Sequence, residues 1–176
     1  MPLWIVGKDF DPAPEGIHLA WSIDTIDRGM VEKTYKGVVT LVREVQLVWE
    51  IPVPLPRRPE ENFRPRRNFP STLKFNSNLR KFLVPWRGRD FTPAEERRFD
   101  IESVIGVPCQ LQIVHRAGRE GQIWANVVSA LPVPKLPDGS PYPMFTPQPY
   151  VRVKDRISDT PDHQETPPTE NDPVPF

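Results

Sequence analysis

The sequence has little cysteine and no long apolar run. Its single cysteine, Cys109, excludes an internal disulfide framework and is typical of a reducing compartment, so we expect it to be a small core residue. No apolar stretch is long enough to span a membrane, and the first residues lack the pattern of a signal peptide. These absences predict a soluble intracellular protein.

Signatures of catalysis are also lacking. The chain has no phosphate-binding loop, no pair of cysteines, no histidine pair at helical spacing and no Gly-x-Ser-x-Gly motif. His18 and His115 fall on predicted strands, where a histidine is usually outward-facing or hydrogen-bonded. Asp24 and Asp27 are spaced to share a metal ion, but the end of a strand before a turn is a usual place for aspartate. We predict no catalytic residue, no metal site and no cofactor.

Proline and acidic residues are abundant near the end of the chain. Of 24 prolines, 12 follow Leu131, and residues 157–176 contain five acids and no lysine or arginine. A segment with so many prolines and few aliphatic residues buries too little surface to offset its ordering entropy. Residues 132–176 are therefore predicted to be a disordered, proline-rich acidic tail. Residues 1–15, which contain three prolines, are predicted to be a loose arm.

Alternating apolar residues predict strands in the body of the chain, residues 16–131. The predicted strands cover residues 16–27, 35–51, 71–75 and the two arms of a hairpin at 107–131. Between the second and third strands, residues 52–70 combine prolines with dense charge, which excludes a sheet interior. We predict that this segment is a basic loop projecting from the sheet.

The apolar period changes to that of a helix after the third strand. Apolar residues recur at i, i+3, i+4 and i+7 from Leu79 to Trp86, and Thr92 and Glu95 are spaced as a capping box. Residues 77–105 are therefore predicted to be a helical insert between strands 3 and 4. This order is that of the OB-fold, a five-stranded barrel that often binds oligonucleotides. An open five-stranded sheet backed by helices would give almost the same pattern.

Basic residues are concentrated in residues 57–98, where 12 lysines and arginines accompany five acids. Arginines alternate there with Phe63 and Phe69, and a site for single-stranded nucleic acid needs cations for phosphates and flat rings for bases. Trp49 and Trp124 extend this surface unless they lie in the core. A solvated loop without a ligand is the alternative. The predicted DNA-binding residues are Arg57, Arg58, Phe63, Arg64, Arg66, Arg67, Phe69, Lys74, Arg80, Lys81, Arg87, Arg89, Trp49 and Trp124.

The chain ends in an acid followed by prolines, an aliphatic residue and a terminal phenylalanine. A mobile peptide of this kind can insert its ring into a partner's apolar pocket while a basic rim holds the carboxylate. The predicted partner-binding residues are Asp172, Pro173, Val174, Pro175 and Phe176.

Several short segments carry a resemblance to known proteins. They are EGIH (15–18), DRG (27–29), SNLRK (77–81), WRGRDFT (86–92), FDIE (99–102) and GVPC (106–109). With them, residues 15–131 resemble a family of bacteriophage OB-fold single-stranded DNA-binding proteins from replication and recombination cassettes. The tip resembles that of bacterial single-stranded DNA-binding proteins, with Val174 where those typically have isoleucine.

Charge, aromatic residues and this resemblance predict sequence-tolerant binding of single-stranded DNA in phage replication, recombination and repair, in the cytoplasm of a bacterial host. The tip is expected to recruit replication or recombination enzymes. Two alternatives remain: a non-enzymatic adaptor that binds protein through the barrel and the arginine-rich loop, and a module that binds RNA or duplex DNA. A homo-oligomer is compatible with the sequence.

Overall fold

The computed structural model describes residues 11–156, and over that range it contains seven strands, two α-helices and two short 3-10 helices. The strands are β1 (Gly16–Tyr35), β2 (Val38–Glu50), β3 (Pro54–Leu55), β4 (Arg58–Asn62), β5 (Arg66–Pro70), β6 (Pro108–Ala117) and β7 (Ile123–Leu131). The helices are α1 (Asn78–Arg87) and α2 (Pro93–Arg97), and the 3-10 helices are Ile101–Val104 and Val153–Asp155.

Five of the strands form one antiparallel sheet in the order β5-β2-β1-β6-β7, and β3 pairs with β4 in a separate small hairpin. The prediction of a mainly β protein is confirmed, and the helices lie between the third and fourth strands of the sheet, as expected. Within the described residues no backbone ladder joins β5 to β7, so the sheet is open. The predicted OB-fold-like barrel is therefore not closed, and the structure shows the open five-stranded sheet that the sequence pattern also allowed.

The third strand of the sheet lies inside the segment predicted to be a loop. Residues 66–70 pair with residues 44–48 of β2, whereas residues 71–75, the predicted strand, are not in a strand. β5 is an edge strand of the sheet, and an edge strand tolerates nearby prolines that a central strand would not. The rest of the predicted loop contains the β3–β4 hairpin.

β1 and β2 extend beyond the sheet as a two-stranded ribbon, residues 29–44. The prediction that the first strand ends near Gly29 is wrong, because a bulge between Asp27 and Gly29 shifts the register without ending the pairing. The ribbon turns through Lys36 and Gly37, which have φ angles of 49° and 79°. Two consecutive positive φ angles are typical of the hairpin turn that follows the natural twist of the strands.

The core lies between one face of the sheet and α1. The buried residues of α1 are the four that its periodicity predicted, Leu79, Phe82, Leu83 and Trp86. The centroid of the Phe82 ring lies 5.5 Å from that of Trp49 on β2 and 5.0 Å from that of Phe69 on β5. Gly88 ends the helix in the left-handed conformation, with φ of 74°. The predicted helix is confirmed, as is the capping box that begins α2.

Residues 145–156, which the composition assigns to a disordered tail, instead cross the face of β1 and β2 opposite α1. We call this segment the strap. The indole Nε1 of Trp21 on β1 donates a hydrogen bond of 2.8 Å to the carbonyl of Phe145. The backbone N–H of Gln148 donates one of 3.0 Å to the fully buried carboxylate of Glu50 on β2. Within the described residues, the part of the chain that packs against the sheet therefore includes residues 145–156, beyond the predicted boundary at residue 131.

A second buried carboxylate, that of Asp24 on β1, also holds the strap. It accepts hydrogen bonds from Tyr150 Oη (2.9 Å), Arg152 Nε (3.0 Å) and Val153 N (2.9 Å). Burial by itself would raise the pKa of Asp24, but the three hydrogen bonds outweigh that effect, and the pKa is lowered. Arg152, with help from a lysine of the strap, lowers the pKa of Glu102 to about 2. The carboxylates of Asp24 and Glu102 are therefore ionised at neutral pH.

Acidification is expected to release the strap. Because the pKa values of Asp24 and Glu102 are lower in the folded protein than in the unfolded chain, their contribution to stability is complete at neutral pH and declines below about pH 4. For Glu102 it is lost near its folded pKa of about 2. The indole N–H signal of Trp21 in ¹H–¹⁵N spectra should shift in this window, and in Asp24→Asn it should be shifted already at neutral pH. A signal unchanged down to pH 2 would contradict this account.

Candidate nucleic-acid interface

A cleft of about 580 Å³ lies where the sheet remains open, between β5 and the paired strands β6 and β7. Its lining residues are Gln46, Arg66, Arg67, Asn68, Arg116, Asn126, Val127 and Val128. Three arginines and three amide side chains are thus gathered there without a carboxylate among the lining residues. The cleft is a positively charged groove that can also form neutral hydrogen bonds.

Arg67 spans the gap between the two edges of the sheet. Its Nη1 donates hydrogen bonds of 2.9 Å to the carbonyl of Val127 and 3.2 Å to that of Val128, both on β7. Its guanidinium carbon lies 4.7 Å from the centroid of the Phe69 ring. Burial, and to a lesser extent the neighbouring charge of Arg116, lower the pKa of Arg67. This side chain therefore joins edges that no backbone ladder connects, and its charge forms one wall of the cleft.

Arg66 and Arg116 present exposed charges on opposite sides of the same cleft. Gln46 Nε2 donates a hydrogen bond of 2.7 Å to Asn68 Oδ1, which orients both amides beside these charges. The positive charge of Arg116 repels that of the partly buried Arg67, and no lining carboxylate offsets the repulsion. An anionic ligand would relieve it and would gain charge-assisted hydrogen bonds.

An exposed aromatic ring lies next to the cleft. Trp124 is directly opposite Arg116 in the β6–β7 ladder and is 47% exposed. Because side chains alternate along a strand, Trp124 shares its face with Asn126, which lines the cleft. A Cβ atom at Gly118 would lie 2.7 Å from Trp124 Nε1, so the indole packs closely against the β6–β7 turn. The turn thus positions a flat apolar surface beside the arginines.

The other aromatic residues predicted to stack on bases lie in the core. Trp49 and Phe69 are 0% exposed and Phe63 is 7% exposed. A base could reach these rings only if the domain opened. Neither the periodicity of β2 nor the sequence of the basic segment shows which aromatic side chains are buried in the core and which are exposed.

Most of the predicted arginines are paired with acids elsewhere on the protein. Arg80 on α1 forms ion pairs with Asp90 and Glu96, and its side chain is only 12% exposed. Arg87 and Arg89 share one carboxylate of α2. These contacts fasten α2 and the preceding turn to α1. The three arginines therefore stabilise the helical insert, and none of them lines the cleft.

The remaining predicted cations are spread around the domain. Arg57 and Arg58 form ion pairs with nearby acids, and the guanidinium of Arg64 lies 5.1 Å from the ring of a tyrosine in the strap. Lys74 and Lys81 are exposed, but neither lines the cleft. Of the predicted DNA-binding residues, only Arg66 and Arg67 line the cleft.

From the predicted set, the structure brings Arg66 and Arg67 together in the cleft and places Trp124 beside it. Sequence reasoning missed Arg116, Asn126 and the amides on β2 and β5. The alternation in the hairpin already put Trp124 and Asn126 on one face. To place Arg116 on that same face, directly across from Trp124, the register of the hairpin must be known as well.

Other kinds of site find less support. The described residues contain no group of three or more histidine, cysteine, aspartate and glutamate side chains that could hold a metal ion. No helix among them is long and apolar enough to cross a membrane. The predicted partner-binding tip, Asp172 to Phe176, lies outside the described residues.

No known protein family, curated protein or solved structure matches the chain.

Proposed function

We propose that this protein binds single-stranded DNA with little sequence preference in the cleft between β5 and β7, as a phage-type protein of DNA replication and recombination. The observation that carries the proposal is the convergence of Arg66, Arg67 and Arg116 in a cleft lined by no carboxylate. Three like charges in one groove favour a ligand with regularly spaced negative charges. A nucleic-acid backbone is such a ligand.

The uncharged residues of the cleft favour a single strand over a duplex. Trp124 offers a half-exposed indole to an unpaired base, whereas the bases of a duplex are already stacked on one another. Gln46, Asn68 and Asn126 can bond to phosphate, sugar or base edges. With one ring and three amides, binding depends more on charge and stacking than on sequence.

The topology supports the same function. Five antiparallel strands with a helical insert between the third and fourth, closed incompletely at one edge, are consistent with the partly open barrel of the OB-fold. In that fold the second and third strands and the hairpin loops bind oligonucleotides. Here those strands are β2 and β5, which form one side of the cleft, while the β6–β7 hairpin forms the other.

Removing the two exposed charges should reduce the salt dependence of binding. For Arg66→Gln with Arg116→Gln, we expect oligo(dT) affinity to fall about tenfold at low salt, because charge-assisted phosphate contacts are lost. The slope of log K against log salt should become shallower by about 1.4, or about 0.7 for each charge removed. Fluorescence anisotropy with labelled oligo(dT) over a range of salt concentrations measures both quantities.

The matched control for this titration is Arg97→Gln with Arg98→Gln, which removes the same net charge from exposed positions that do not line the cleft. The control should keep the wild-type slope to within a few tenths. Equal effects of the two double variants would mean that net charge, and not the cleft, determines binding. Competition with duplex DNA and with single-stranded RNA of the same length tests the nucleic-acid preference.

The acidic tip, Asp172 to Phe176, belongs to this proposal as the contact for replication or recombination enzymes in a bacterial cell. A non-enzymatic adaptor is the second candidate function, and the apolar residues exposed on the ribbon favour it. The two candidates differ in one simple measurement. An adaptor would leave the mobility of poly(dT) unchanged at low salt, whereas the proposed DNA-binding protein would retard it.

A further inference from the structure

The ribbon has two edges that no other strand covers. β6 pairs with β1 only at residues 16–21, and β5 pairs with β2 only at residues 44–48. Along the ribbon, β1 and β2 therefore pair only with each other within the described residues. The exposed apolar residues of the ribbon are Met30, Tyr35, Val38, Val39 and Leu41, each 59% to 72% exposed.

The two edges differ in how well they are protected against pairing with another chain. The β1 edge carries Glu32 and Lys33, and charges of this kind usually prevent an edge strand from pairing with another chain. The β2 edge, residues 38–42, has the sequence Val-Val-Thr-Leu-Val, without a charge, proline or glycine. An exposed apolar edge of this kind is a template for a further strand. The β2 edge is therefore the one that favours a partner.

One hydrogen bond shows which backbone groups of the β2 edge point away from β1 and toward a possible partner strand. The carbonyl of Arg43 accepts a bond of 2.8 Å from Ser71 N, on the side away from β1. Backbone groups alternate in direction along a strand, so those of Leu41 and Val39 also point away from β1, and those of Thr40 point toward it. A partner strand would meet unpaired donors and acceptors at Val39 and Leu41.

We propose that the β2 edge pairs antiparallel with the β2 edge of a second copy, about a two-fold axis at Thr40. Such an axis is perpendicular to the sheet, so a residue on it faces its own copy and neighbours pair symmetrically. Val39 then faces Leu41 of the other copy, and each such pair exchanges two backbone hydrogen bonds. Val38 faces Val42, and Thr40 faces Thr40. Every pair is either apolar or a threonine pair, which are favourable cross-strand combinations.

The same symmetry applied to β1 is unfavourable. An axis at the middle of that edge places either Glu32 against its own copy or Lys33 against its own copy. Like charges directly opposite each other destabilise a strand pair. An axis at Val31 instead places Glu32 against Met30 and Lys33 against Gly29 of the other copy, so neither charge meets a favourable cross-strand partner. An axis at Thr34 leaves only about three residues of the edge, 33–35, paired. The charges thus select β2 over β1, and the resulting dimer is a closed pair with no free β2 edge. This inference does not depend on the proposed DNA binding.

Sedimentation of the full chain tests the proposal. The wild type should form a species of twice the 20.3 kDa chain mass. Thr40→Glu should raise the dimer dissociation constant about tenfold or more, since two carboxylates would meet at the axis. The same carboxylate lies opposite Lys33 within the ribbon, so the ribbon itself should remain folded. The matched control is Thr34→Glu, on the other strand, which should leave the dimer unchanged.

Mixing and cross-linking make the test specific to the axis. Thr40→Lys should also weaken the dimer. An equimolar mixture of Thr40→Lys and Thr40→Glu should form a heterodimer, which would also show that the ribbon of Thr40→Lys stays folded although the new lysine lies opposite Lys33. Thr40→Cys should form a disulfide-linked dimer on oxidation, because non-hydrogen-bonded pairs bring Cα atoms to about 4.5 Å. Thr34→Cys should not. The native Cys109 is buried, and burial raises its thiol pKa to about 12, so it should not compete.

Several results would overturn the proposal. They are a wild type that is monomeric at every concentration, open-ended polymers in place of a dimer, a dimer that tolerates Thr40→Glu, and equal cross-linking of the Thr40→Cys and Thr34→Cys variants. Loss of oligo(dT) binding in Thr40→Glu without a change in mass would assign this edge to nucleic acid instead. Because mass and DNA affinity are measured separately, failure of the dimer would leave the proposed function standing.

Discussion

Replacing Trp124 with alanine is expected to weaken oligo(dT) binding about 5- to 150-fold, because one base–aromatic stack contributes about 1–3 kcal/mol. Trp124 is the predicted stacking residue whose ring is half exposed next to the cleft, beside Arg116. Its charge is zero, so the slope of log K against log salt should keep its wild-type value. A loss of affinity with an unchanged slope is the signature of stacking rather than of phosphate contact.

Two variants control this experiment. Trp124→Phe retains a flat ring at the same position and should recover most of the affinity. Phe75→Ala removes an aromatic side chain that is 84% exposed and does not line the cleft, and it should bind like the wild type. If Trp124→Ala bound as well as Phe75→Ala, the indole of Trp124 would have no part in the site.

Arg67→Met should lower the free energy of unfolding by about 2–4 kcal/mol. The methionine keeps much of the apolar volume but loses the hydrogen bonds to Val127 and Val128, which come from a charged donor and contribute about 1.5–3 kcal/mol. Loss of the contact between the guanidinium and the Phe69 ring adds about 0.5–1 kcal/mol. Urea unfolding monitored by circular dichroism measures the change.

The neighbouring residue supplies the control for Arg67. Arg66 is exposed on the same strand, and Arg66→Met should change the free energy of unfolding by no more than about 0.5 kcal/mol. The two variants should separate stability from binding: Arg66→Met weakens binding of oligo(dT) without destabilising the fold, and Arg67→Met destabilises the fold. Equal unfolding midpoints for the two variants would show that the guanidinium of Arg67 does not hold the sheet edges together.

The elements that the sequence predicted well are those whose signal is local. The spacing from Leu79 to Trp86 determines which face of α1 is buried, and Gly88 ends the helix at the residue where a positive φ is needed. The hairpin at residues 107–131 follows from its alternating apolar residues. β5 was missed because prolines and charged residues disfavour a strand inside a sheet. β5 lies at the edge of the sheet, where such residues are tolerated, and the sequence does not show which position a strand takes.

The candidate site was harder to predict, because it depends on which charges find partners. Arg80 and Arg66 look alike in the sequence, yet Arg80 lies against Asp90 and Glu96 while Arg66 lies at a cleft without a lining carboxylate. These differences arise from contacts between segments far apart in the chain. A count of basic residues gives the sign of the surface charge, but the fold decides which guanidinium groups can meet a ligand.

The strap has a consequence for the timing of folding during synthesis. Trp21 bonds to a residue 124 positions later, and Asp24 to one 129 positions later. A ribosome adding about 5–20 residues per second releases Asp24 roughly 6–26 s before the groups that neutralise it. Until then the nascent sheet must keep Asp24 and Glu50 hydrated. The last step of folding therefore waits for residues 145–156 to leave the exit tunnel.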